Sequence, residues 1–297
     1  MLELDPSVKS VIESCVVITG GGRSGTTVLG KLIHSYRHVE YTFEPPMLVV
    51  LFALIRQLPE STWRFLYEAY LAEEFLSNAV AGRAINTNKF DDSSIYAVKS
   101  AADVEGRLSR SWPKRDVMEQ VASKTLAYKI PNIVPFLREI MSYYPGSRVV
   151  VIKRGAAESI HSLLAKAWFR NEGAQAATAW PFKQVEQWRV PYWVRSGDES
   201  LWCELSELDR CAYYYLLMSE APPPDERVLH LRYSSLVTRP AETSELLAQW
   251  IGVEAGERTS DVLASIRPTG MSVDAGIIHK ISSQFRDAVR EQSALSE

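Results

Sequence analysis

The sequence predicts an α/β fold in which a mostly parallel sheet is flanked by helices. Three observations support this. Short apolar runs of strand length alternate with segments of helical periodicity. A glycine-rich turn joins the first strand to the helix after it. The run at 148–152 is apolar and β-branched through its centre, as a strand buried on both faces requires. The chain has 297 residues, and we interpret 1–297 as one domain.

The predicted elements follow one another in chain order. Strands are predicted at 15–19, 126–130, 148–152 and 228–232. Helices are predicted at about 26–35, 47–57, 62–79 and 134–143, then from Ala156, and finally at about 240–250. Pro131 stops the second strand, Pro240 suits the first turn of the final helix, and Gly252 suits its end.

Composition excludes several classes of protein. The net charge is −3 and no basic run appears, so nucleic acid is not an expected partner. Three cysteines without metal-ligand spacing argue against a disulfide framework and against zinc. The N-terminal segment has acids and no apolar core of a signal peptide, and the longest apolar run, 47–55, is too short to span a bilayer. A cytoplasmic location is expected, with prior removal of an export signal as the alternative.

The segment at 20–27, Gly-Gly-Gly-Arg-Ser-Gly-Thr-Thr, is the strongest local signal. Glycines let a backbone turn tightly and present its N–H groups inward, and the helix that follows adds partial positive charge. A simple glycine turn requires neither a cation nor three hydroxyls. The segment therefore predicts a cradle for a phosphate-like anion, formed by Gly22, Arg23, Ser24, Gly25, Thr26 and Thr27.

This loop departs from the P-loop of kinases and ATPases. Gly20 and Gly25 have the Walker A spacing, but Thr26 stands where the lysine should be, and the cation has moved to Arg23. A loop of that form resembles the 5′-phosphosulfate loop of sulfotransferases that use 3′-phosphoadenosine 5′-phosphosulfate (PAPS). The resemblance implies the sulfotransferase fold, a P-loop-like parallel sheet between helices.

A second resemblance lies at 149–162. In that family an arginine ends a strand, a serine follows eight residues later, and both hold the 3′-phosphate of PAPS. Arg154 and Ser162 have this spacing, and the surrounding sequence is most similar to tyrosylprotein sulfotransferases. Lys166, one turn further, matches a basic phosphate contact of that subgroup. Arginine suits phosphate because its planar fork presents several donors.

A third resemblance covers 231–253. Leu-Arg-Tyr-Ser-Ser-Leu at 231–236, followed by Pro240 and an apolar helix, is similar to the family's stretch before its last helix. Tyr233 matches a residue placed near the cofactor, although a core tyrosine is an equally good interpretation. The Arg-Lys-Gly loop that covers the nucleotide in cytosolic members is absent, and 267–280 is a possible replacement to which we assign no contacts.

The resemblance implies Glu44 as the general base. A Gly-Glu-Glu or Gly-Glu-Pro segment follows the loop and helix in tyrosylprotein sulfotransferases and bacterial relatives, and Phe-Glu-Pro at 43–45 occupies that place here. The family's glycine is missing, so Glu40 remains a competitor and His161 a further alternative. Pro45 is expected to restrict Glu44 to an extended backbone.

Lys129 is the expected cation at the leaving group, together with Arg23. Lys129 ends the second predicted strand, where cytosolic sulfotransferases carry a lysine and a catalytic histidine that this chain lacks. Sulfuryl transfer requires an in-line acceptor, a base and a cation near the leaving oxygen. No carboxylate pair for magnesium is evident, so no metal is expected.

The expected reaction is transfer of a sulfuryl group from PAPS to a hydroxyl, with release of PAP. The acceptor stays open among small molecules, sugars, lipids and peptide tyrosines. Two alternatives remain: a P-loop small-molecule kinase and a non-catalytic nucleotide-binding protein of the same fold. The segment 167–209 breaks the strand–helix alternation and is either an insertion packed on the core or a lid over the acceptor; its aromatic residues are Trp168, Phe169, Trp180, Phe182, Trp188, Tyr192, Trp193 and Trp202.

Overall fold

A computed structural model describes residues 4–91, 93–170, 181–220, 225–267, 274 and 276–296. Within these residues, seven strands form a five-stranded parallel sheet and a two-stranded antiparallel hairpin. The strands are β1 Val16–Gly20, β2 Val39–Phe43, β3 Thr125–Lys129, β4 Arg148–Lys153, β5 Phe182–Val185, β6 Trp188–Pro191 and β7 Val228–Arg232.

The order of the main sheet is β2-β3-β1-β4-β7, and helices pack on it. The predicted α/β class with a parallel, helix-flanked sheet is therefore confirmed, and the four predicted strands correspond to β1, β3, β4 and β7. One strand was not predicted. The edge strand β2 pairs with β3 in parallel, from Val39 opposite Thr125 to Phe43 opposite Lys129. The sequence Val-Glu-Tyr-Thr-Phe of β2 carries two polar residues and lacks the continuous apolar run that marks the central strands.

Sixteen α-helices lie in the described part of the chain, in addition to one π-helix and two short 3₁₀ helices. Those before the last strand are α1 Pro6–Glu13, α2 Thr26–His34, α3 Pro46–Leu54, α4 Glu60–Ala69, α5 Ser77–Val80, α6 Ala101–Leu108, α7 Lys114–Val121, α8 Leu137–Tyr143, α9 Ala156–Ala165, α10 Glu199–Glu204 and α11 Glu207–Ser219. Those after it are α12 Tyr233–Thr238, α13 Pro240–Ile251, α14 Thr259–Ser265, α15 Ile277–Lys280 and α16 Ser283–Ser296.

Two helix predictions need correction. The helix predicted at 62–79 is interrupted by a π-helix, Tyr70–Leu76, between α4 and α5. The helix predicted last, α13, ends at Gly252 in the left-handed conformation as expected, but three helices follow it. None of the described helices is long and apolar enough to cross a membrane.

The apolar core lies on both faces of the sheet. Successive residues of β1 alternate between two clusters: Val17 belongs to one, whereas Val16 and Ile18 belong to the other. The strand β4 alternates in the same way. Both strands are fully covered by helices, which explains why their sequences are apolar without alternation.

The aromatic segment contributes mainly to the core. Phe169, Trp193 and Trp202 are buried and contact one another edge to face, with ring centroids 5.2 to 5.8 Å apart. The core interpretation therefore holds for these residues. Tyr192, which is buried in the same core cluster, and Trp168, which packs against it, also line a cavity at the carboxyl end of the sheet. Trp180 lies outside the described residues.

The chain order places a crevice at the carboxyl ends of the strands. From β1 the chain crosses to β2 and β3 on one side of the sheet and then to β4 on the other. In open α/β sheets, ligands bind where the strand order reverses, outside the carboxyl ends. The segments that leave β1, β2, β3 and β4 meet there, and each carries a residue singled out in the sequence.

Candidate active site

The glycine-rich loop leaves β1 and enters α2 through two glycines that no other residue replaces easily. Gly20 has a φ of 145°, and a Cβ there would lie 2.3 Å from the carbonyl oxygen of Ile152. Gly25 has a φ of 94°, and a Cβ there would lie 2.4 Å from the ring of Tyr233. Glycine is therefore required at both ends of the loop, for backbone conformation and for close approach.

Three non-glycine residues near the loop also have positive φ angles: Arg23 at 70°, Glu44 at 43° and Asn132 at 71°. A left-handed conformation costs a non-glycine residue on the order of 1–2 kcal/mol. Such strained positions concentrate at functional sites. Their occurrence on three separate segments that meet at one crevice favours a site there.

Tyr214 and Asn132 complete the cradle and were missed in the sequence. The N–H of Gly22 donates to the hydroxyl of Tyr214, which in turn donates to the side-chain oxygen of Asn132. Burial raises the pKa of Tyr214, which keeps its hydroxyl protonated. Tyr214 lies on α11, 192 residues from Gly22, so no local pattern could have revealed this contact.

Arg154 lies directly against the loop. Its Nη1 donates to the carbonyl oxygen of Arg23 at 3.2 Å, its Nε pairs with Glu158 at 3.0 Å, and its guanidinium lies 4.7 Å from the ring centre of Tyr233. Only 5% of the side chain is exposed. The end of β4 and the loop are thus in direct contact; the role of Arg154 in binding the 3′-phosphate stays a prediction.

Ser162 is connected to the same group of residues. Its hydroxyl oxygen accepts a hydrogen bond of 3.1 Å from Nε of Arg23, and the serine is buried on α9. Ser24 and Thr26 are also buried in the loop. Two arginines and several hydroxyls therefore converge beside the amino end of α2, an arrangement that suits an anion with more than one phosphate group.

Lys166 is less closely connected. It is exposed at the carboxyl end of α9. It lines neither the small cavity that contains Gly21 and Ser24 nor the larger one that contains Arg23 and Glu44. Its predicted contact with a phosphate stays a prediction. Tyr233 is buried against Gly25 and Arg154. Its ring therefore contacts the guanidinium of Arg154 and also belongs to the core.

Lys129 and Glu44 form an ion pair at the entrance to α2. The Nζ atom of Lys129 contacts a carboxylate oxygen of Glu44 and donates to Oγ1 of Thr27 at 3.2 Å. Burial lowers the pKa of Lys129, and the carboxylate of Glu44 opposes that effect. The side chain of Glu44 is 36% exposed, whereas that of Lys129 is 3% exposed. A buried cation and an accessible carboxylate thus lie beside the glycine-rich loop.

The backbone at Glu44 differs from the expectation. Pro45 was expected to keep the backbone of Glu44 extended, but the φ angle of Glu44 is 43°. The N–H of Glu44 donates to the carbonyl oxygen of Lys129 at 2.9 Å, one residue past the end of β2. This hydrogen bond and the ion pair with Lys129 hold the residue in the left-handed conformation, against the preference that proline imposes on its neighbour.

Glu40, the competitor, has a different environment. It is 2% exposed in β2 and pairs with Nη1 of Arg107 at 2.9 Å, and its other oxygen lies 3.8 Å from Nζ of Lys124. These contacts are those of a buried structural ion pair. His161, the further alternative, does not line the cavity that contains Glu44 and Lys129.

That cavity has a volume of about 390 Å³. Its lining joins the loop, the ends of β2 and β3, and the aromatic segment: Gly22, Arg23, Thr26, Thr27, Phe43, Glu44, Pro46, Val49, Lys129, Pro131, Asn132, Trp168 and Tyr192. The ring of Trp168 lies so close to the loop that a Cβ on Gly22 would be 2.6 Å from it. No group of three or more His, Cys, Asp or Glu side chains able to hold a metal ion occurs among the described residues.

Several solved structures are similar to this chain. The sulfotransferase STF9 from Mycobacterium avium is 12% identical, with a TM-score of 0.48, over 98% of this chain and 78% of that one. The sulfotransferase STF1 from Mycobacterium tuberculosis H37Rv is 16% identical, with a TM-score of 0.43, over 96% and 79%. Mouse sulfotransferase SULT7A1, complexed with PAP, is 10% identical, with a TM-score of 0.42, over 94% and 82%.

The comparison with curated proteins found no match. The model of the Sulfotransferase family, by contrast, matches residues 15–257. This range contains the glycine-rich loop, Arg154, Ser162 and the strand β7. The chain belongs to the sulfotransferase family.

Proposed function

We propose that this sulfotransferase moves a sulfuryl group from PAPS to the hydroxyl of an acceptor and releases PAP. The observation that carries the proposal is the contact of Lys129 with both Glu44 and Thr27, beside a loop already joined to Arg154 and Ser162. In this proposal, Glu44 is the base, Lys129 is the leaving-group cation, and the loop is the anion cradle of one crevice.

The nucleotide end of the site binds two anionic groups in this proposal. The backbone N–H groups and hydroxyls of the loop hold the 5′-phosphosulfate, as a helix amino end suits such a group. Arg154 and Ser162 hold the 3′-phosphate, with Lys166 as an outer contact and Tyr233 against the guanidinium. The N–H of Gly22 donates to the hydroxyl of Tyr214, so an anion that accepts from this N–H displaces that hydroxyl.

The transfer step assigns one task to each charged side chain. Glu44 accepts the proton of the acceptor hydroxyl while the oxygen of that hydroxyl forms a bond to sulfur. The bond from sulfur to the bridging phosphate oxygen breaks, and its electron pair stays on the phosphate of PAP. Lys129 and Arg23 stabilise the negative charge that grows on that oxygen. When Lys129 turns to the phosphate, the carboxylate of Glu44 is released from its ion pair and is free to act as a base.

A thermal-shift comparison of PAP, ATP and GTP tests the nucleotide assignment. A ligand at one hundred times its Kd stabilises the folded protein by about 2.7 kcal/mol. We expect PAP to raise the unfolding temperature well above the effects of ATP and GTP. A larger effect of ATP with magnesium would favour a kinase-like enzyme, and stabilisation by PAP without turnover of PAPS would indicate a non-catalytic binding protein.

A further inference from the structure

A cavity with a buried lysine lies at the end of the sheet opposite the candidate active site. His38 and Lys124 directly precede β2 and β3 and line this cavity, whereas Glu44 and Lys129 lie at the other ends of the same two strands. The cavity has a volume of about 310 Å³ and is named the Lys99 cavity, after the buried lysine in its lining. A molecule that binds here is therefore separated from the glycine-rich loop by the length of the strands.

A second cavity continues from the first. It has a volume of about 350 Å³ and is named the Trp112 cavity, after the aromatic residue in its lining. Asp103, Arg107, Gln120 and Lys124 line both cavities. Val80, in addition to Trp112, gives the second cavity an apolar part. Both volumes lie within the range of small-molecule sites.

Three buried or nearly buried cations surround the carboxylate of Glu40 behind these cavities. Lys99 and Arg107 are 8% and 6% exposed, and the side chain of Lys124 is 12% exposed. Arg107 pairs with Glu40 at 2.9 Å and with Asp103 at 2.8 Å, so this one arginine is in contact with both carboxylates. Three cations thus face two carboxylates, and the cluster carries one positive charge in excess.

The excess charge belongs to the two lysines, whose ammonium groups have donors to spare. Among the described residues, the hydrogen-bond partner of Lys99 is the carbonyl oxygen of Tyr36, at 2.8 Å, and not a carboxylate. The Nζ atom of Lys124 lies 3.8 Å from an oxygen of Glu40, too far for a hydrogen bond. Burial lowers the pKa of Lys99 to about 8, and the carboxylate of Glu40 offsets this effect only in part. A buried charge without a full partner is costly, so an anion between the lysines would be stabilising.

The surroundings of the lysines also favour an anion. Ser100 is the N-cap residue of α6, lines the Lys99 cavity and accepts a hydrogen bond of 3.3 Å from the N–H of Asp103. The amino end of a helix carries partial positive charge and attracts anions. The other acid in the lining, Glu257, is exposed to solvent, and Arg37 in the lining pairs with the exposed Glu254.

We propose that the Lys99 and Trp112 cavities together bind a small organic phosphate, at a site separate from the one that binds the sulfuryl donor. The phosphate group lies between Lys99 and Lys124 and accepts hydrogen bonds from both ammonium groups. Phosphate suits this position better than carboxylate does, because it presents three acceptor oxygens to donors that come from different segments. The organic part extends into the Trp112 cavity, against Val80 and Trp112. This inference goes beyond sulfuryl transfer and does not depend on it.

Calorimetry with phenyl phosphate, inorganic phosphate and benzoate tests the site, with excess PAP present to occupy the glycine-rich loop. Lys99→Met and Lys124→Met each remove one ammonium group and keep a long, unbranched side chain. Lys124 is the less buried of the two, so its variant is the one that should fold even if Lys99→Met does not. Lys114→Met is the matched control, because Lys114 is 76% exposed on α7 and lines neither cavity. Circular dichroism shows which variants are folded.

We expect phenyl phosphate to bind the wild-type protein in the presence of PAP, and inorganic phosphate and benzoate to bind more weakly. Lys99→Met and Lys124→Met should each weaken the binding of phenyl phosphate about tenfold or more, because a charged hydrogen-bond partner is lost. Lys114→Met should bind it as the wild-type protein does, and none of the variants should change the affinity for PAP.

Three results would overturn the assignment: no binding of phenyl phosphate to the wild-type protein, wild-type affinity in a folded Lys124→Met protein, or competition between phenyl phosphate and PAP. Equal affinities for phenyl phosphate and inorganic phosphate, or for phenyl phosphate and benzoate, would overturn the class of ligand. Because Lys99 and Lys124 lie outside the region proposed for the nucleotide, their variants locate the phenyl phosphate site even if PAP does not bind.

Discussion

Two cavities that share Thr27 and Phe43 differ in their linings: one lies at the glycine-rich loop, and the other lies along β2. The cavity at the loop brings together Arg23, Lys129 and backbone donors, whereas the cavity along β2 is bounded mainly by carbon. The net charge of the whole chain is −3, so the attraction of an anion depends on this local concentration of cations. The lining of the cavity at the loop therefore suits an anionic ligand better than the lining of the cavity along β2 does.

Glu40, which lies in β2, and Glu44, which directly follows it, also differ in their surroundings. Both Glu40 and Glu44 pair with cations, but the side chain of Glu40 is 2% exposed between Arg107 and Lys124, whereas that of Glu44 is 36% exposed and lines the cavity at the loop. An ion pair by itself therefore does not identify a base. In the proposed reaction, the greater exposure of Glu44 and its contact with Lys129 favour Glu44 as the base.

Glu44→Gln is the substitution expected to have the largest effect. The amide keeps the shape of the side chain but cannot accept the hydroxyl proton, so the rate of transfer should fall about 10²–10⁴-fold. PAP affinity, measured by calorimetry, should stay close to that of the wild-type protein. Steady-state release of PAP from PAPS in the presence of an accepted hydroxyl compound provides the rate.

Glu40→Gln is the matched variant for the base. Near-normal turnover by Glu44→Gln combined with an inactive, folded Glu40→Gln protein would assign the base to Glu40. If both variants stay active, the base lies elsewhere, and His161 is the next residue to replace.

The main effect of Glu40→Gln should be on stability. The substitution leaves Arg107 and Lys124 buried beside a neutral amide, and a weakened buried contact to a charged group costs about 1–3 kcal/mol. Urea unfolding should show that loss in the free energy of unfolding. The transfer rate at a temperature where the variant is folded should change much less than it does in Glu44→Gln. Unchanged stability would show that the pair with Arg107 does not support the fold.

Removal of divalent metal is expected to have the smallest effect. Arg23 and Lys129 supply the positive charge that magnesium supplies in phosphoryl transfer, so transfer rates with and without excess chelator should agree. A collapse of activity with chelator that magnesium restores would support a kinase-like enzyme instead.

The sequence was most informative where one short segment contains a complete motif. The loop at 20–27 and the pair Arg154 and Ser162 could be recognised because each depends on local spacing, and the structure brings these segments together. The buried strands β1 and β4 were equally clear, because burial on both faces leaves a continuous apolar run.

The features that the sequence did not predict depend on contacts between distant segments. β2 has a mixed pattern because it lies at the edge of the sheet, and its boundaries follow from pairing with β3. The hydroxyl of Tyr214 reaches Gly22 from α11, and the left-handed backbone of Glu44 depends on the carbonyl of Lys129. Propensities along the chain contain no information about such partners.

The central claim is that Arg154 and Ser162 bind the 3′-phosphate of the nucleotide. Calorimetry with PAP and 5′-AMP tests this claim most directly. The wild-type protein should bind PAP far more tightly than 5′-AMP, which lacks the 3′-phosphate. Arg154→Ala should remove about 2–4 kcal/mol of PAP binding, roughly 30- to 1,000-fold in Kd, and with it most of the preference.

Arg239→Ala, at an exposed arginine paired with Glu242 on α13, is the control and should bind both nucleotides as the wild-type protein does. Circular dichroism confirms that each variant is folded. A folded Arg154→Ala protein that keeps the wild-type affinity for PAP and the full preference over 5′-AMP would contradict the account.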